Sequence, residues 1–206
     1  MQPVFVRFHF DPQCPFTYKT SQWIRRAAQA GAADLHWGLF SLQVLNDEWE
    51  GGGERSSGPA LRTALLVDER TDALGRFYPA FGRRRHELGE PLDGADTITG
   101  ALRDADLDPD LYQEAMADAE TWERVRTRQE ELAARRPVSG SPLLVIDGDD
   151  GPAVTGPVIA EVPDDPAGVL ASVVTLARTE AFGELRRSLS RMPDLESVRQ
   201  FQRGEG

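Results

Sequence analysis

The only cysteine of the chain, Cys14, lies in the short segment Cys14-Pro15-Phe16-Thr17. A cysteine thiolate is a nucleophile that attacks disulfides and electrophiles. Two cysteines spaced CxxC would be typical of a redox dithiol, but Thr17 stands where the second cysteine would be. The segment therefore predicts either a single-thiol site or, because free cysteine often packs as a small apolar residue, a buried sulfur without chemistry.

The elements on either side of this segment favour a reactive sulfur. Residues 4–10, VFVRFHF, alternate and are rich in β-branched and aromatic side chains, which is typical of a strand. Asp11 and the proline after it end that strand. Pro15 suits the first turn of a helix, which the apolar spacing predicts over residues 14–30.

Cys14 would then cap a helix N-terminus. The unpaired backbone N–H groups and the helix dipole at such a position favour the anion, so we expect a lowered thiol pKa. Thr17 would face back toward Cys14, and both its hydroxyl and its backbone N–H would be donors to the thiolate.

The remaining pattern completes an α/β fold. A second strand is predicted at residues 34–40, a flexible loop at 50–58, two short strands within 139–158, and a helix from Pro166 to about Ala181. Strand–helix–strand followed by hairpin–helix is the order of a thioredoxin-like core.

An all-helical block separates the two halves of this core, as in the DsbA group. We expect residues 1–57 and 138–206 to form the thioredoxin-like core and residues 58–137 to form the helical insertion. The polar tail, residues 183–206, is expected to be packed at first and frayed at its end.

A second candidate feature, Gly140-Ser141-Pro142, precedes the apolar strand LLVI. The fold predicts that this proline is cis and that its loop lies against the reactive cysteine, although cis X-Pro bonds are only about 5–6% of such bonds in folded proteins. The Ser141 backbone would offer an edge to which an extended thiol substrate could pair.

Composition excludes several classes of function. A net charge of −11 and a pI near 4.8 disfavour binding to nucleic acid or an anionic membrane. No apolar run approaches the roughly 20 residues of a membrane span, and the N-terminus lacks the features of a secretory signal. One cysteine allows no internal disulfide, so we expect a reducing cytoplasm. No histidine or carboxylate spacing indicates a metal site.

The chain resembles a known family along most of its length. FDPQCPFTYKTSQWI is similar to the FDPxCPWxWxTSxW signature of actinobacterial DsbA-like proteins, among them the mycothiol-dependent nitroreductases. Further similar segments are Ser41 to Asn46 (SLQVLN), Gly58-Pro59, Gly82-x-Arg84-x-His86, Gly140-Ser141-Pro142 and Gly156-Pro157-Val158.

This resemblance implies a cytoplasmic thiol-dependent oxidoreductase without a tightly bound cofactor. Its better-known members use CPWC and take electrons from the low-molecular-weight thiol mycothiol, which would be the cosubstrate here. The sequence departs from the family at Thr17, which excludes an internal dithiol cycle, and at Phe16, which replaces a tryptophan.

The predicted site residues follow from the segment and the resemblance together. We expect Cys14 and Thr17 to be catalytic, and the substrate-binding residues to be Pro15, Phe16, Ser141, Pro142, Asn46 and His86. Two of these have equally simple structural interpretations: Asn46 as a turn or cap residue, and His86 as a residue that packs the insertion on the core.

The expected reaction is attack of Cys14 on a small-molecule electrophile or disulfide, with a second small thiol resolving the adduct. One alternative is the kappa-class glutathione transferase and 2-hydroxychromene-2-carboxylate isomerase group, whose usual serine at the Cys14 position argues against it. Another is a non-catalytic binding protein on the same scaffold, which the missing second cysteine favours. The oligomeric state stays open, a homodimer included.

Overall fold

The structure is a computed structural model that describes residues 2–46, 57–136 and 138–204. Residues 50–56 of the predicted loop lie outside these ranges. The described elements are β1 (Val4–Phe10), α1 (Pro15–Gln29), β2 (Ala33–Leu39), α2 (Leu42–Leu45), α3 (Gly58–Thr71), α4 (Leu74–Gly82), a π-helical turn (Arg83–Glu87), α5 (Ala95–Asp104), α6 (Asp110–Ala117), α7 (Glu120–Arg135), β3 (Leu143–Ile146), β4 (Ala153–Thr155), α8 (Pro166–Ala177) and α9 (Glu196–Gln202).

The four described strands form one mixed sheet in the order β2-β1-β3-β4. β1 pairs in parallel with β2, whereas β1 with β3 and β3 with β4 are antiparallel. The helices α3 to α7 all lie between α2 and β3 in the chain. This arrangement confirms the predicted α/β class, a thioredoxin-like core with a helical insertion.

The hydrophobic core joins the sheet to the inserted helices. Val6, Phe8 and Phe10 are fully buried on one face of β1, and burial of each such side chain contributes about 1.5–3 kcal/mol. The Phe10 ring stacks on Tyr78 of α4 with centroids 3.8 Å apart. The insertion and the sheet thus share one cluster of buried residues.

A close approach fixes α4 against α1. Gly82, the last residue of α4, lies so near the Tyr18 ring that a Cβ added to it would be 2.2 Å from a ring carbon. Any larger residue at this position would push the two helices apart. Gly82 thereby sets the position of Tyr18, one turn after Cys14.

The C-terminal tail is ordered differently from the prediction. The helix α8 ends at Ala177, residues 183–192 are exposed, and packing resumes only at Pro193. Leu195 and Val198 then pack against Tyr18 of α1. The prediction of a packed start was therefore wrong. Residues 201–204 at the end of the tail are exposed, and a frayed end stays a prediction.

Candidate functional site

Cys14 is the N-cap residue of α1, as predicted. Its backbone is extended, with φ −84° and ψ 110°, and Pro15 begins the helix. The Thr17 backbone N–H donates to the Cys14 Sγ over 3.4 Å. The sulfur therefore lies at a helix terminus with an amide donor directed at it, and the residue is half-buried.

The loop before β3 forms the other wall of the site. The Ser141–Pro142 peptide bond is cis, and Pro142 is buried. The Ser141 carbonyl oxygen lies 3.9 Å from the Cys14 Sγ, so the thiol donates a weak hydrogen bond to it. Cys14 and Ser141 are 127 residues apart in sequence, and the structure brings them into contact.

Thr17 connects these two walls. Its hydroxyl lies 2.7 Å from the Ser141 hydroxyl, which in turn accepts a hydrogen bond from the Asp11 backbone N–H over 3.3 Å. If Ser141 donates to Thr17, the Thr17 hydroxyl proton is free for the Cys14 sulfur. Both the amide and the hydroxyl of Thr17 lower the pKa of the Cys14 thiol, which is the direction expected from the sequence.

The resultant pKa of the Cys14 thiol is nevertheless raised, which corrects the expectation of a lowered value. Burial is the largest cause, because a thiolate removed from water loses solvation, and the charge of Asp11 acts in the same direction. The hydrogen bonds from Thr17 and the Phe16 backbone oppose these effects without cancelling them. The helix position is as predicted, but its effect on the thiol is outweighed.

Asp11 is a site residue that sequence reasoning missed. Its carboxylate is fully buried and accepts hydrogen bonds from the backbone N–H groups of Gln13, over 2.8 Å, and Leu42, over 2.7 Å. Burial raises its pKa to about 6, although these hydrogen bonds act in the opposite direction. The signal was a carboxylate three residues before Cys14, which we interpreted only as a strand breaker.

His86 is buried rather than open to a substrate. Its Nε2 lies 3.0 Å from the Pro12 carbonyl oxygen and its Nδ1 lies 2.9 Å from the Ser197 hydroxyl. A carbonyl only accepts, so Nε2 carries the proton and Nδ1 accepts from Ser197. The ring also stacks on Tyr18, with centroids 5.2 Å apart.

These contacts correct the expectation that His86 binds substrate. The side chain is 0% exposed, and burial lowers its pKa to about 3, so it is neutral. Its hydrogen bond to Pro12 holds the loop that leads into Cys14. His86 is thus a positioning residue that joins α9 to this loop.

The other predicted residues lie at the ends of helices. Pro15 and Phe16 are half-buried in the first turn of α1, next to the sulfur. Asn46 is exposed and ends α2, where its backbone N–H donates to the Leu42 carbonyl. Asn46 therefore caps a helix, and contact of Phe16 or Asn46 with a substrate stays a prediction.

Residues 2–46, 57–136 and 138–204 hold no grouping of histidine, cysteine and carboxylate side chains suited to a metal ion. Among their helices, none is both long and apolar enough to cross a membrane.

Comparison with known proteins agrees with this geometry. Residues 13–187 match the model of the Rv2466c-like family, described as mycothiol-dependent nitroreductase Rv2466c. The chain is 34% identical over 206 residues to the Mycobacterium tuberculosis protein Rv2286c, an alignment that covers 95% of this chain and 86% of that protein.

Solved structures show the same fold at low sequence identity. The cytosolic disulfide reductase DsbM from Pseudomonas aeruginosa superposes with a TM-score of 0.61 and 13% identity, covering 84% of this chain and 99% of DsbM. The probable DsbA oxidoreductase SCO1869 from Streptomyces coelicolor superposes with a TM-score of 0.57 and 18% identity, covering 91% and 94%. The structures show that the chain has a DsbA-type fold. The match to the family model shows that it belongs to the Rv2466c-like family and is, by that membership, a thiol-dependent oxidoreductase.

Proposed function

We propose that this protein is a monothiol oxidoreductase in which Cys14 forms a mixed disulfide that a low-molecular-weight thiol resolves. The observation that carries the proposal is the position of the Cys14 Sγ, between the Thr17 amide at 3.4 Å and the Ser141 carbonyl at 3.9 Å. The Thr17 amide would stabilise the thiolate. The Ser141 carbonyl belongs to the backbone edge with which an extended thiol substrate would pair.

The reaction proceeds in two balanced exchanges. In the first, the Cys14 thiolate attacks a mixed disulfide between the small thiol and a substrate. The substrate leaves as a thiolate that takes a proton from water, and Cys14 becomes disulfide-bonded to the small thiol. In the second, another molecule of the small thiol attacks this adduct as its thiolate, releasing the symmetric disulfide and the Cys14 thiolate. Over the cycle one free small thiol is consumed, the mixed disulfide is converted to the symmetric disulfide, and the substrate is released as its reduced thiol.

The raised pKa of Cys14 affects each step differently. Less thiolate is present at neutral pH, but each thiolate is intrinsically more nucleophilic, because nucleophilicity rises with thiol pKa. Cys14 is also a poorer leaving group than a small thiol of ordinary pKa. The adduct on Cys14 is therefore expected to persist until the second thiol arrives.

Mycothiol is the proposed thiol, on the strength of the family to which the chain belongs. A structure of the fold neighbour DsbM has been solved with GSH, which supports a small thiol as the class of cosubstrate on this fold. The proposal places the reaction in the cytoplasm, where such thiols are kept reduced. The proposed substrate is a small disulfide or another small electrophile.

A turnover assay tests the proposal. The purified protein is given a mycothiol mixed disulfide and excess mycothiol, and release of the substrate thiol is followed for the natural chain and for Cys14→Ser. We expect turnover only with Cys14. Equal turnover by Cys14→Ser would favour the kappa-class transferase mechanism, in which the enzyme activates a bound thiol, and would contradict the monothiol cycle. No turnover by either protein, with mycothiol or with GSH, would favour a binding protein.

A further inference from the structure

Asp11 makes hydrogen bonds to three separate segments that surround the reactive sulfur. Its backbone carbonyl accepts from the Cys14 N–H over 3.2 Å, and its backbone N–H donates to the Ser141 hydroxyl over 3.3 Å. Its carboxylate accepts from the N–H groups of Gln13, over 2.8 Å, and Leu42, over 2.7 Å. The residue therefore joins the loop before α1, the cis-proline loop and the start of α2.

Burial of this carboxylate is costly, and its two hydrogen bonds offset only part of the cost. The Asp11 side chain is 0% exposed, and its pKa is raised to about 6 because the amide donors do not replace all of the lost solvation. An apolar residue would avoid this cost but would leave two N–H groups without their acceptor. The carboxylate thus does what an apolar residue cannot do: it bonds to amides of two different segments.

The segment that Leu42 belongs to is also bonded to the helical insertion. Gln129 of α7 is buried, and its Oε1 accepts from the Ser41 N–H over 2.9 Å. Ser41 is the N-cap of α2, and Leu42, the next residue, donates to the Asp11 carboxylate. A continuous chain of contacts therefore runs from α7 to the loop that carries Cys14.

The reaction proposed for Cys14 requires the segments joined by Asp11 to be aligned. The Cys14 sulfur lies 3.9 Å from the Ser141 carbonyl, on the backbone edge with which an extended substrate would pair. The carboxylate fixes Asp11, and the Asp11 backbone bonds to both Cys14 and Ser141. A displacement of about 1 Å between reacting groups can slow a reaction about a hundredfold, so this alignment affects the rate.

We propose that Asp11 is a positioning residue, whose carboxylate fixes the Cys14 loop relative to the start of α2 so that the sulfur faces a disulfide paired with the Ser141 backbone. Gln129 supports this arrangement from the insertion, through Ser41. The inference rests on the proposed use of Cys14 as a nucleophile toward disulfides. Asp11 acts through the position of Cys14 and not through contact with the substrate.

Two reagents separate the position of the sulfur from its ionisation. Iodoacetamide alkylates the thiolate without pairing with the backbone edge. A tripeptide with a central cysteine, activated as a 2-thiopyridyl disulfide, would pair with that edge. The Cys14 thiolate attacks the peptide sulfur, and 2-thiopyridone leaves and takes a proton from water. Both reactions use the same thiolate, so the ratio of peptide exchange to alkylation at one pH removes most of the effect of the Cys14 pKa.

Asp11→Asn and Asp11→Ala form a matched pair. Both remove the charge that raises the Cys14 pKa, so alkylation at pH 7.5 should become faster in both. Asparagine keeps one acceptor oxygen for the two N–H groups, whereas alanine keeps none. We expect the exchange-to-alkylation ratio to fall roughly tenfold in Asp11→Asn and about a hundredfold in Asp11→Ala. An unchanged ratio, or an equal fall in the two variants, would overturn the inference, because the hydrogen bonds would then have no effect of their own.

Gln129→Met tests the same chain of contacts without a change of charge, and it also decides the case if Asp11→Ala does not fold. Methionine is flexible and unbranched, but it offers the Ser41 N–H no oxygen. We expect the ratio to fall by roughly threefold, with alkylation unchanged. Gln113→Met, on the exposed face of α6, is the control and should leave both rates unchanged. A natural ratio in Gln129→Met would contradict the link through α7.

The measurements also distinguish positioning from a loss of stability and from the proposed cycle. Urea unfolding of each variant establishes that the folded protein was assayed. If a loosened loop merely exposed Cys14, both rates would rise together, which would contradict a positioning role. The peptide reaction needs neither mycothiol nor a resolving thiol. A lowered ratio without any mycothiol adduct on the natural chain would contradict the cycle alone, whereas an adduct with an unchanged ratio in the variants would contradict this inference alone.

Discussion

The hydroxyl of Thr17 lies 2.7 Å from the hydroxyl of Ser141, and this contact joins the first turn of α1 to the cis-proline loop. In a CxxC protein this position would hold the second sulfur of a dithiol. Here it holds a hydrogen-bonding residue that links two walls of the site and lowers the pKa of the Cys14 thiol. In the proposed mechanism, Thr17 is therefore part of a single-thiol site.

Thr17→Val tests the contribution of this hydroxyl, because valine keeps the branched shape and the backbone amide. Losing one of the two Thr17 groups that lower the Cys14 pKa should raise that pKa further. We expect iodoacetamide alkylation at pH 7.5 to slow by roughly three- to tenfold. Thr17→Ser keeps a hydroxyl and serves as the control. Equal alkylation by Thr17→Val and the natural chain would mean that the hydroxyl does not act on the sulfur.

Ser197→Ala tests whether α9 holds the active-site loop through His86. The variant leaves the buried Nδ1 of His86 without its donor, so the free energy of unfolding in urea should fall by about 1–3 kcal/mol. Ser172→Ala removes an exposed hydroxyl on α8 and should change stability by less than about 0.5 kcal/mol. A similar effect of both substitutions would remove the case for a specific His86–Ser197 link.

Asp11 makes stability depend on pH in a direction opposite to that of most carboxylates. The pKa of Asp11 in the folded protein is about 6, above the ordinary value of 3.8. Its stabilising contribution to the free energy of unfolding is therefore full below pH 3.8 and is lost as the pH rises through 6. Asp11→Asn does not titrate. Between pH 4.5 and 7.5 the natural chain should therefore lose about 2 kcal/mol relative to Asp11→Asn.

Urea unfolding of both proteins at the two pH values measures this difference. The buried histidines act in the other direction: the pKa of His9 is lowered to about 4 and that of His86 to about 3, so their contribution is lost as pH falls from 6.5. Both proteins share this effect, and it cancels in the comparison. A stability difference between the two proteins that stays constant with pH would show that the pKa of the Asp11 carboxyl is not raised.

Local sequence patterns were sufficient to predict the strand and the helix that position Cys14. Alternation and turn residues predicted β1 and α1, and Pro15 predicted a helix start with Cys14 at its cap. These features depend on neighbours within a few residues, which a sequence displays directly.

The sequence did not predict burial that results from contacts between residues far apart in the chain. The raised pKa of Cys14 depends mainly on how much of the thiolate is withdrawn from water, which folding decides. The bonds of His86 to Pro12 and Ser197 span 74 and 111 residues. The stacking of Tyr78 on Phe10 depends on how α4 meets β1, so no local pattern predicts it.

The most direct measurement of the central claim is the intact mass of the protein after incubation with mycothiol disulfide, with Cys14→Ser as the control. The account predicts an added mass of one mycothiol on the natural chain only, present under non-reducing conditions and removed by free mycothiol. A natural chain that gains no adduct, or an adduct that free mycothiol does not release, would contradict the monothiol mechanism.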